Sequence, residues 1–303
     1  MTVLEVINVS KQYDGMRAVD EVSFAVEAGE IYGLLGPNGA GKTSTMRMIM
    51  NITVPDTGEI RLFGEPFRDE LKNRIGYLPE ERGLYPKMKV LDHLVFLGEM
   101  KGLKPREARR RARQWLQKVN LEGWGNKKVN ELSKGMQQKV QFIATLLHEP
   151  DLVIMDEPFS GLDPLNTKFL KDILLEYKRT GKTIILSTHL MDQAEKLCES
   201  ICLINKGRVA LSGKLAEIKQ RFSHNVVTLA FEGDAQFIAS LPFVERTNDY
   251  GKAIHVTLKD GTDPNALLEA TLQHGVKVHR FEVSETSLDE IFIEVVGGQH
   301  GQN

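Results

Sequence analysis

The apolar run Ile31-Tyr32-Gly33-Leu34-Leu35 leads straight into Gly36-Pro37-Asn38-Gly39-Ala40-Gly41-Lys42-Thr43, and helical spacing follows over 42–50. The octapeptide fits G-x-x-x-x-G-K-[ST] in the context that gives this pattern meaning, a strand before it and a helix after it. Such a loop needs glycine because successive backbone N–H groups must turn inward to cradle phosphate oxygens. The helix that starts near Lys42 points the positive end of its dipole at the same anion. Lys42 is expected to reach the β- and γ-phosphates and Thr43 to give its hydroxyl to Mg²⁺, and the phosphate-contacting stretch is taken from Gly36 through Ser44.

Two further apolar runs, Leu152-Val153-Ile154-Met155 and Thr183-Ile184-Ile185-Leu186, repeat the texture of the first. Continuous runs of this length suit strands buried on both faces, as in a parallel sheet covered by helices. Helical spacing at 134–148, 165–180 and 190–199 completes an α/β pattern. Ahead of it, Leu4, Val6, Ile7, Val9, Val22, Phe24 and Val26 alternate with polar residues, which reads as antiparallel strands joined at Asp14-Gly15. Residues 86–132 hold no strand run and two helical stretches, around 90–101 and 105–119. They read as a helical insertion in the α/β core, taken to about 86–150.

A length of 303 residues predicts about two domains. The texture changes near residue 220. Strands at 226–231, 244–248, 253–258 and 276–283, with helices at 235–241 and 264–274, give the order β-α-β-β-α-β, followed by a helix at 288–296. That order resembles the ferredoxin-like split motif. The expected organisation is therefore 1–220, a small α+β domain over 225–296, and a polar, glycine-rich tail over 297–303 expected to be disordered.

The 39 Lys+Arg against 41 Asp+Glu leave a net charge of −2, which argues against a chain held to nucleic acid by overall charge. The stretch from Lys101 to Lys118, with Arg106, Arg109, Arg110, Arg111 and Arg113 against Glu107, reads as a solvated basic face, suited to anionic lipid headgroups more than to nucleic acid. No apolar run approaches the ~18–20 residues that span a bilayer. The start, Met1-Thr2-Val3-Leu4-Glu5, has neither a basic nor an apolar leader, so any work at a membrane is expected to pass through a partner. Cys198 and Cys202 make no disulfide framework and predict a reducing compartment.

The second chemical signal is Leu152-Val153-Ile154-Met155-Asp156-Glu157-Pro158. It puts two adjacent carboxylates at the C-terminal end of a strand, where open α/β sheets bind their ligands. Asp156 is expected on the Mg²⁺ side, acting through water. Glu157 is placed to polarise an attacking water.

With Leu132-Ser133-Lys134-Gly135-Met136-Gln137, these motifs resemble the ATP-binding subunits of ABC transporters over roughly residues 1–220. That family usually carries Leu-Ser-Gly-Gly-Gln here; Ser133 and Gly135 match, while Lys134 and Met136 depart. The resemblance implies a P-loop ABC cassette with an antiparallel β subdomain and a helical insertion. It implies ATP and Mg²⁺ as ligands, and two cassettes closing head-to-tail, with Ser133 and Gly135 meeting the γ-phosphate held by the other subunit. Tyr13 falls where the family stacks an aromatic ring on adenine. Ser160-Gly161-Leu162-Asp163 looks like the subunit-contact loop, and His189 like the switch histidine at the γ-phosphate. The family's Gln after an apolar-Pro step is here Glu80, following Tyr77-Leu78-Pro79, and is expected on the metal side or in coupling. The stretch Pro79-Glu80-Glu81-Arg82-Gly83-Leu84-Tyr85-Pro86 and the ending Glu285-Thr286-Ser287-Leu288-Asp289-Glu290-Ile291-Phe292 look like the sodium-extrusion and drug-export subunits. The expected function is an ATPase subunit on the cytoplasmic face of the cell membrane, driving a separate polytopic membrane subunit, with export of sodium or drug-like solutes. The alternatives are a soluble ABC-type ATPase acting on DNA or ribosomes, and a nucleotide-binding regulator with weak catalysis.

Overall fold

The computed structural model describes residues 1–81, 83–222, 225–249, 253–259, 261–284 and 286–297. It divides into two compact units, Met1–Lys214 and Leu215–Asn303.

The first unit opens with β1 (Thr2–Tyr13) and β2 (Met16–Glu27), joined at Asp14-Gly15, then β3 (Ile31–Leu35), α1 (Lys42–Ile49), β4 (Thr57–Leu62), the short β5 (Glu65–Pro66) and β6 (Ile75–Leu78). The chain continues through α2 (Val90–Met100), α3 (Pro105–Lys118), α4 (Lys134–Leu146), β7 (Leu152–Asp156), α5 (Pro164–Arg179), β8 (Thr183–Thr188), α6 (Met191–Glu195), β9 (Ser200–Asn205) and β10 (Arg208–Lys214). Two sheets result, one in the order β2-β1-β4-β5 and one in the order β10-β9-β3-β8-β7-β6. Strands β6, β7, β8, β3 and β9 run parallel, and β10 returns antiparallel on β9. Every residue of β3, β7, β8 and β9 is buried, as continuous apolar runs require.

The alternating strands behave differently. In β1 and β2, Leu4, Val6, Val9, Val22, Phe24 and Val26 face one core, which also takes Met46 and Ile49 of α1. The helices α2, α3 and α4 fill the long connection between β6 and β7. The basic α3 keeps its apolar side narrow: Ala108, Ala112 and Leu116 are buried, at i, i+4 and i+8. Cys198 and Cys202 are free and buried, and burial pushes both thiols up to about 12.

The second unit begins with α7 (Leu215–Arg221) and continues as β11 (Asn225–Glu232), β12 (Val244–Asp249), β13 (Ile254–Leu258), α8 (Pro264–Gln273), β14 (Lys277–Ser284) and α9 (Leu288–Gly297). Its antiparallel sheet has the order β12-β13-β11-β14, the split β-α-β-β-α-β arrangement with two details altered. The expected first helix, at 235–241, is a 3₁₀ segment, Gln236–Ser240. The unit also starts at Leu215 rather than near 225. A hydrogen bond from Thr286 Oγ1 to Phe222 O, at 2.6 Å, ties the residue after α7 into this second unit. Gly297, expected in the tail, closes α9, and residues 298–303 lie outside the described residues.

Candidate functional site

The phosphate loop is pinned from below by close backbone contact. Gly36 has φ +147°, and a Cβ there would sit 2.1 Å from Ile204 O; Gly41 has φ +110°, and a Cβ there would sit 2.5 Å from Ala18 O. Only glycine meets both demands. Gly207 N donates to Ala40 O at 2.9 Å, and Asp20 N to Gly207 O at 2.8 Å, so the loop is stitched to the β9–β10 hairpin and to β2. Thr45 Oγ1 donates to Gly41 O at 2.9 Å and closes the start of α1.

Above the loop lies a cleft of about 270 Å³ lined by Ala18, Asn38, Gly39, Ala40, Gly41, Lys42, Thr43, Ser44, Glu80 and Glu157. The fold thus brings Glu80 and Glu157, 77 residues apart in sequence, to the same phosphate loop. Lys42 Nζ donates to Gly36 O at 2.7 Å and to Pro37 O at 3.2 Å, and lies 3.5 Å from Glu157 Oε1. His189 Nδ1 stands 2.9 Å from the same Glu157 oxygen.

Glu157 reaches this position through an unusual backbone. Its φ is +48°, in the left-handed region that a non-glycine residue seldom enters, immediately after the buried end of β7. Ser187 supports the turn. In the β7–β8 ladder it is paired with Asp156. Its Oγ donates to Asp156 Oδ1 at 2.5 Å and accepts from Glu157 N at 3.1 Å. Asp156 is 2% exposed, and its Oδ2 has no hydrogen-bond partner in the protein. A buried, half-satisfied carboxylate beside a phosphate site fits a divalent cation. Among the described residues no group of three or more His, Cys, Asp or Glu could hold a metal by itself. Mg²⁺, which binds through one or two carboxylates plus substrate phosphates, suits such a sparse donor set.

The other expected site residues stand outside the cleft lining. Tyr13 ends β1, 39% exposed, with Lys11 Nζ 5.8 Å from its ring centroid. Ser133 caps α4, accepting from Met136 N at 3.3 Å. Gly135 follows it in the first turn. Asp163 caps α5, accepting from Asn166 N at 2.9 Å, and the backbone and side-chain bonds from Asn166 hold its carboxyl below the usual range. Lys42, Thr43 and Glu157 are therefore gathered in one cleft, His189 touches Glu157 from its edge, and Tyr13, Ser133, Gly135 and Asp163 lie elsewhere on the chain.

Three participants carry no motif of their own: Ala18 in the lining, Ser187 under the acidic turn, and Gln141. The buried Gln141 donates through Nε2 to Glu81 O at 3.3 Å and to Pro79 O at 3.5 Å, so α4 holds the segment that carries Glu80. The matching apolar runs of β7 and β8, which pair in parallel, were the available signal for Ser187.

A phosphate loop on a parallel sheet, an acidic strand end beside it, an antiparallel subdomain and a helical insertion define an ATP-binding cassette. Residues 19–160 match the family described as ABC transporter, and residues 213–296 match the C-terminal domain of the ATP-binding protein DrrA1-3-like family. The chain belongs to the ATP-binding subunits of ABC transporters. It is 42% identical to the uncharacterized ABC transporter ATP-binding protein YhaQ of Bacillus subtilis, over 97% of this chain and 99% of that one. It is 35% identical to the Nod factor export ATP-binding protein I of Burkholderia thailandensis, over 95% of each. Among solved structures it resembles an ATP-binding subunit of an ABC transporter, with 36% identity, a TM-score of 0.68, and coverage of 73% of this chain and 93% of that one. It also resembles the dimeric ATP-binding cassette MJ0796 bound to ADP and Pi, with 26% identity, a TM-score of 0.65, and coverage of 70% and 98%. The chain is an ABC ATPase. Among the described residues no helix is long and apolar enough to cross a membrane.

Proposed function

We propose that this ATPase works as a homodimer on the cytoplasmic face of the cell membrane and drives export of a small solute, sodium or a drug-like molecule, through a separately encoded polytopic subunit. Nucleic acid has no part in this reading. The carrying observation is the end-to-end likeness to an export ATP-binding protein, joined to the DrrA1-3-like match of the second unit.

In this reading the loop amides from Gly36 to Gly41 bind the phosphates, with Lys42 reaching the β/γ bridge and Ser44 at the helix start. Thr43, Asp156 and Glu80 are the residues that would hold Mg²⁺, which when bound would supply positive charge against that of the phosphates. Glu157 orients and deprotonates the attacking water. His189 steadies Glu157 through the 2.9 Å contact and meets the γ-phosphate. Tyr13 stacks on adenine. Ser133 and Gly135, at a helix N-terminus, serve the nucleotide of the second copy, with Asp163 near the contact between copies.

A route toward the membrane partner is supported by one adjacency. Pro79 and Tyr77 line an apolar groove of about 480 Å³ with Leu84, Leu97 and Met100, while Glu80, the next residue after Pro79, lines the phosphate cleft. A movement at the γ-phosphate is one residue away from the groove.

Everted vesicles carrying the chain with its membrane subunit test the direction. ATP-dependent accumulation of radioactive sodium or of a cationic dye, abolished by Glu157→Gln, is the expected result. ATP-dependent loss of preloaded solute would reverse the assignment. Sharing of sites is tested by mixing Lys42→Ala with Ser133→Arg subunits, since one of the two composite sites in that heterodimer is intact. Activity should return on mixing, and no return with heterodimers present would exclude a shared site.

A further inference from the structure

Asp20 joins two hairpins beside the phosphate loop. Its side chain is 9% exposed and takes a guanidinium on each oxygen: Arg17 Nη1 donates to Oδ1 and Arg208 Nε to Oδ2, both at 2.6 Å. Arg17, and then Arg208, hold its carboxyl below the usual carboxylate range, so the group is charged at neutral pH. The arginines come from different hairpins. Arg17 lies near the tip of β1–β2, paired with Gln12 and next to the Tyr13–Met16 pair. Arg208 follows Gly207 in the tight Lys206-Gly207 turn of β9–β10, where both turn residues have positive φ. The same turn is bonded to the phosphate loop through Gly207 N and Ala40 O, and to β2 through Asp20 N and Gly207 O. Ala18, two residues before Asp20, lines the cleft itself. The two arginines are 58% and 74% exposed, so breaking the triad strands no buried cation. What the triad fixes is where the tip that carries Tyr13 stands relative to the turn that holds the loop.

We infer that Asp20 is a positioning residue that sets the separation between Tyr13 and the phosphate loop, so that the base and the phosphates of one nucleotide are met together. This rests on the stacking role proposed above for Tyr13. Asp20 does not act by attracting phosphate, since a carboxylate beside the loop repels it. A role through charge alone would make its removal tighten every phosphate ligand. A role in holding the loop in shape would make its removal weaken every phosphate ligand. A spacing role weakens only ligands that carry a base as well as phosphates.

Calorimetric titration of the full chain with ADP and with pyrophosphate, both in MgCl₂, separates these roles without turnover. Asp20→Asn should weaken ADP about tenfold, within the range for losing a stacked base, and leave pyrophosphate within about twofold of the wild type or tighter. Arg208→Gln, on a side chain 74% exposed, should repeat the pattern, and it carries the test if Asp20→Asn fails to fold. In Tyr13→Ala, which has no ring to place, adding Asp20→Asn should weaken ADP by less than about twofold. That comparison needs no pyrophosphate. Equal weakening of both ligands in Asp20→Asn, tightening of both, or unchanged ADP overturns the inference, as does the same loss of ADP affinity when Asp20→Asn is added to Tyr13→Ala. Unchanged ADP binding in Tyr13→Ala alone removes the stacking role and this inference together. Weaker ADP in Tyr13→Ala with unchanged ADP in Asp20→Asn removes only the role of Asp20.

Discussion

Lys42 Nζ and Glu157 Oε1 lie 3.5 Å apart in side chains that are 6% and 9% exposed. A buried pair of this kind binds each partner's charge firmly, and removing one partner strands the other. The lysine that is to hold phosphate and the carboxylate that is to act on water are thus set against each other. In the proposed reaction, a phosphate that draws Lys42 away would leave Glu157 free to take a proton.

Glu157→Gln should lower ATP turnover by roughly 10²–10⁴-fold, the range for loss of a general base, while Mg-ATP binding stays near that of the wild type. Single-turnover hydrolysis and equilibrium binding on the same preparation separate the two. Turnover within a few-fold of the wild type would take Glu157 out of the reaction.

Ser187→Ala removes the hydroxyl that donates to Asp156 Oδ1 and accepts from Glu157 N. Leaving a buried carboxylate and an amide unsatisfied should destabilise the first unit by about 1–3 kcal/mol. Thermal denaturation should show a Tm lower by several degrees, and added Mg-ATP should recover part of the loss. An unchanged Tm would mean that water replaces the hydroxyl without cost.

Tyr13→Ala should weaken ATP and ADP equally, by about 1–3 kcal/mol, because the base common to both is what an aromatic ring stacks on. The ring beside Lys11 is partly open to solvent and free to receive a base. Affinities unchanged for both nucleotides would leave Tyr13 a purely structural residue.

His148 adds a pH term to stability. Burial, and then the nearby Lys101, pull its imidazole from 6.5 down to about 4. Its Nε2 and Lys101 Nζ both contact Ile75 O, at 3.2 and 3.0 Å, so the proton would arrive beside a cation. Between pH 6.5 and about 4 the unfolded chain carries a proton that the folded chain lacks. Stability therefore falls as pH drops through that window, by about 2–3 kcal/mol at its lower end. His93, buried in α2 and also lowered by burial, acts in the same direction. Urea denaturation at pH 7 and at pH 4.5 should show a smaller loss in His148→Gln than in the wild type; equal losses would assign the acid sensitivity elsewhere.

The phosphate loop and the acidic strand were legible in the sequence because their chemistry is contiguous: an apolar run ends, and the functional atoms come within the next eight residues. The buried strands were legible for the same reason. What escaped lies across registers. Ser187 matters only because β8 sets it opposite Asp156, and Gln141 only because α4 passes over residues 79–81. The short α7 has two buried apolar residues, Leu215 and Ile218, too few for its spacing to reveal that it belongs to the second unit and not to the first. The 3₁₀ segment Gln236–Ser240 spans only five residues, below the length at which a helical period can be told from a tight turn.

The order of the strands in the central sheet sets when, during synthesis, this protein can first hold a nucleotide. Strand β1 finds both of its neighbours, β2 and β4, within the first 62 residues, so the antiparallel sheet can close early. Strand β3 has to wait, since Ile31 pairs with Ile184 and Tyr32 with Ser200. The contacts that pin the phosphate loop come later still, from Ile204 and Gly207. At about 5–20 residues per second, that is a delay of roughly 10–30 seconds on the ribosome. The nascent chain exposes the loop sequence long before it owns the site, and it becomes competent for ATP only after the cassette is almost complete.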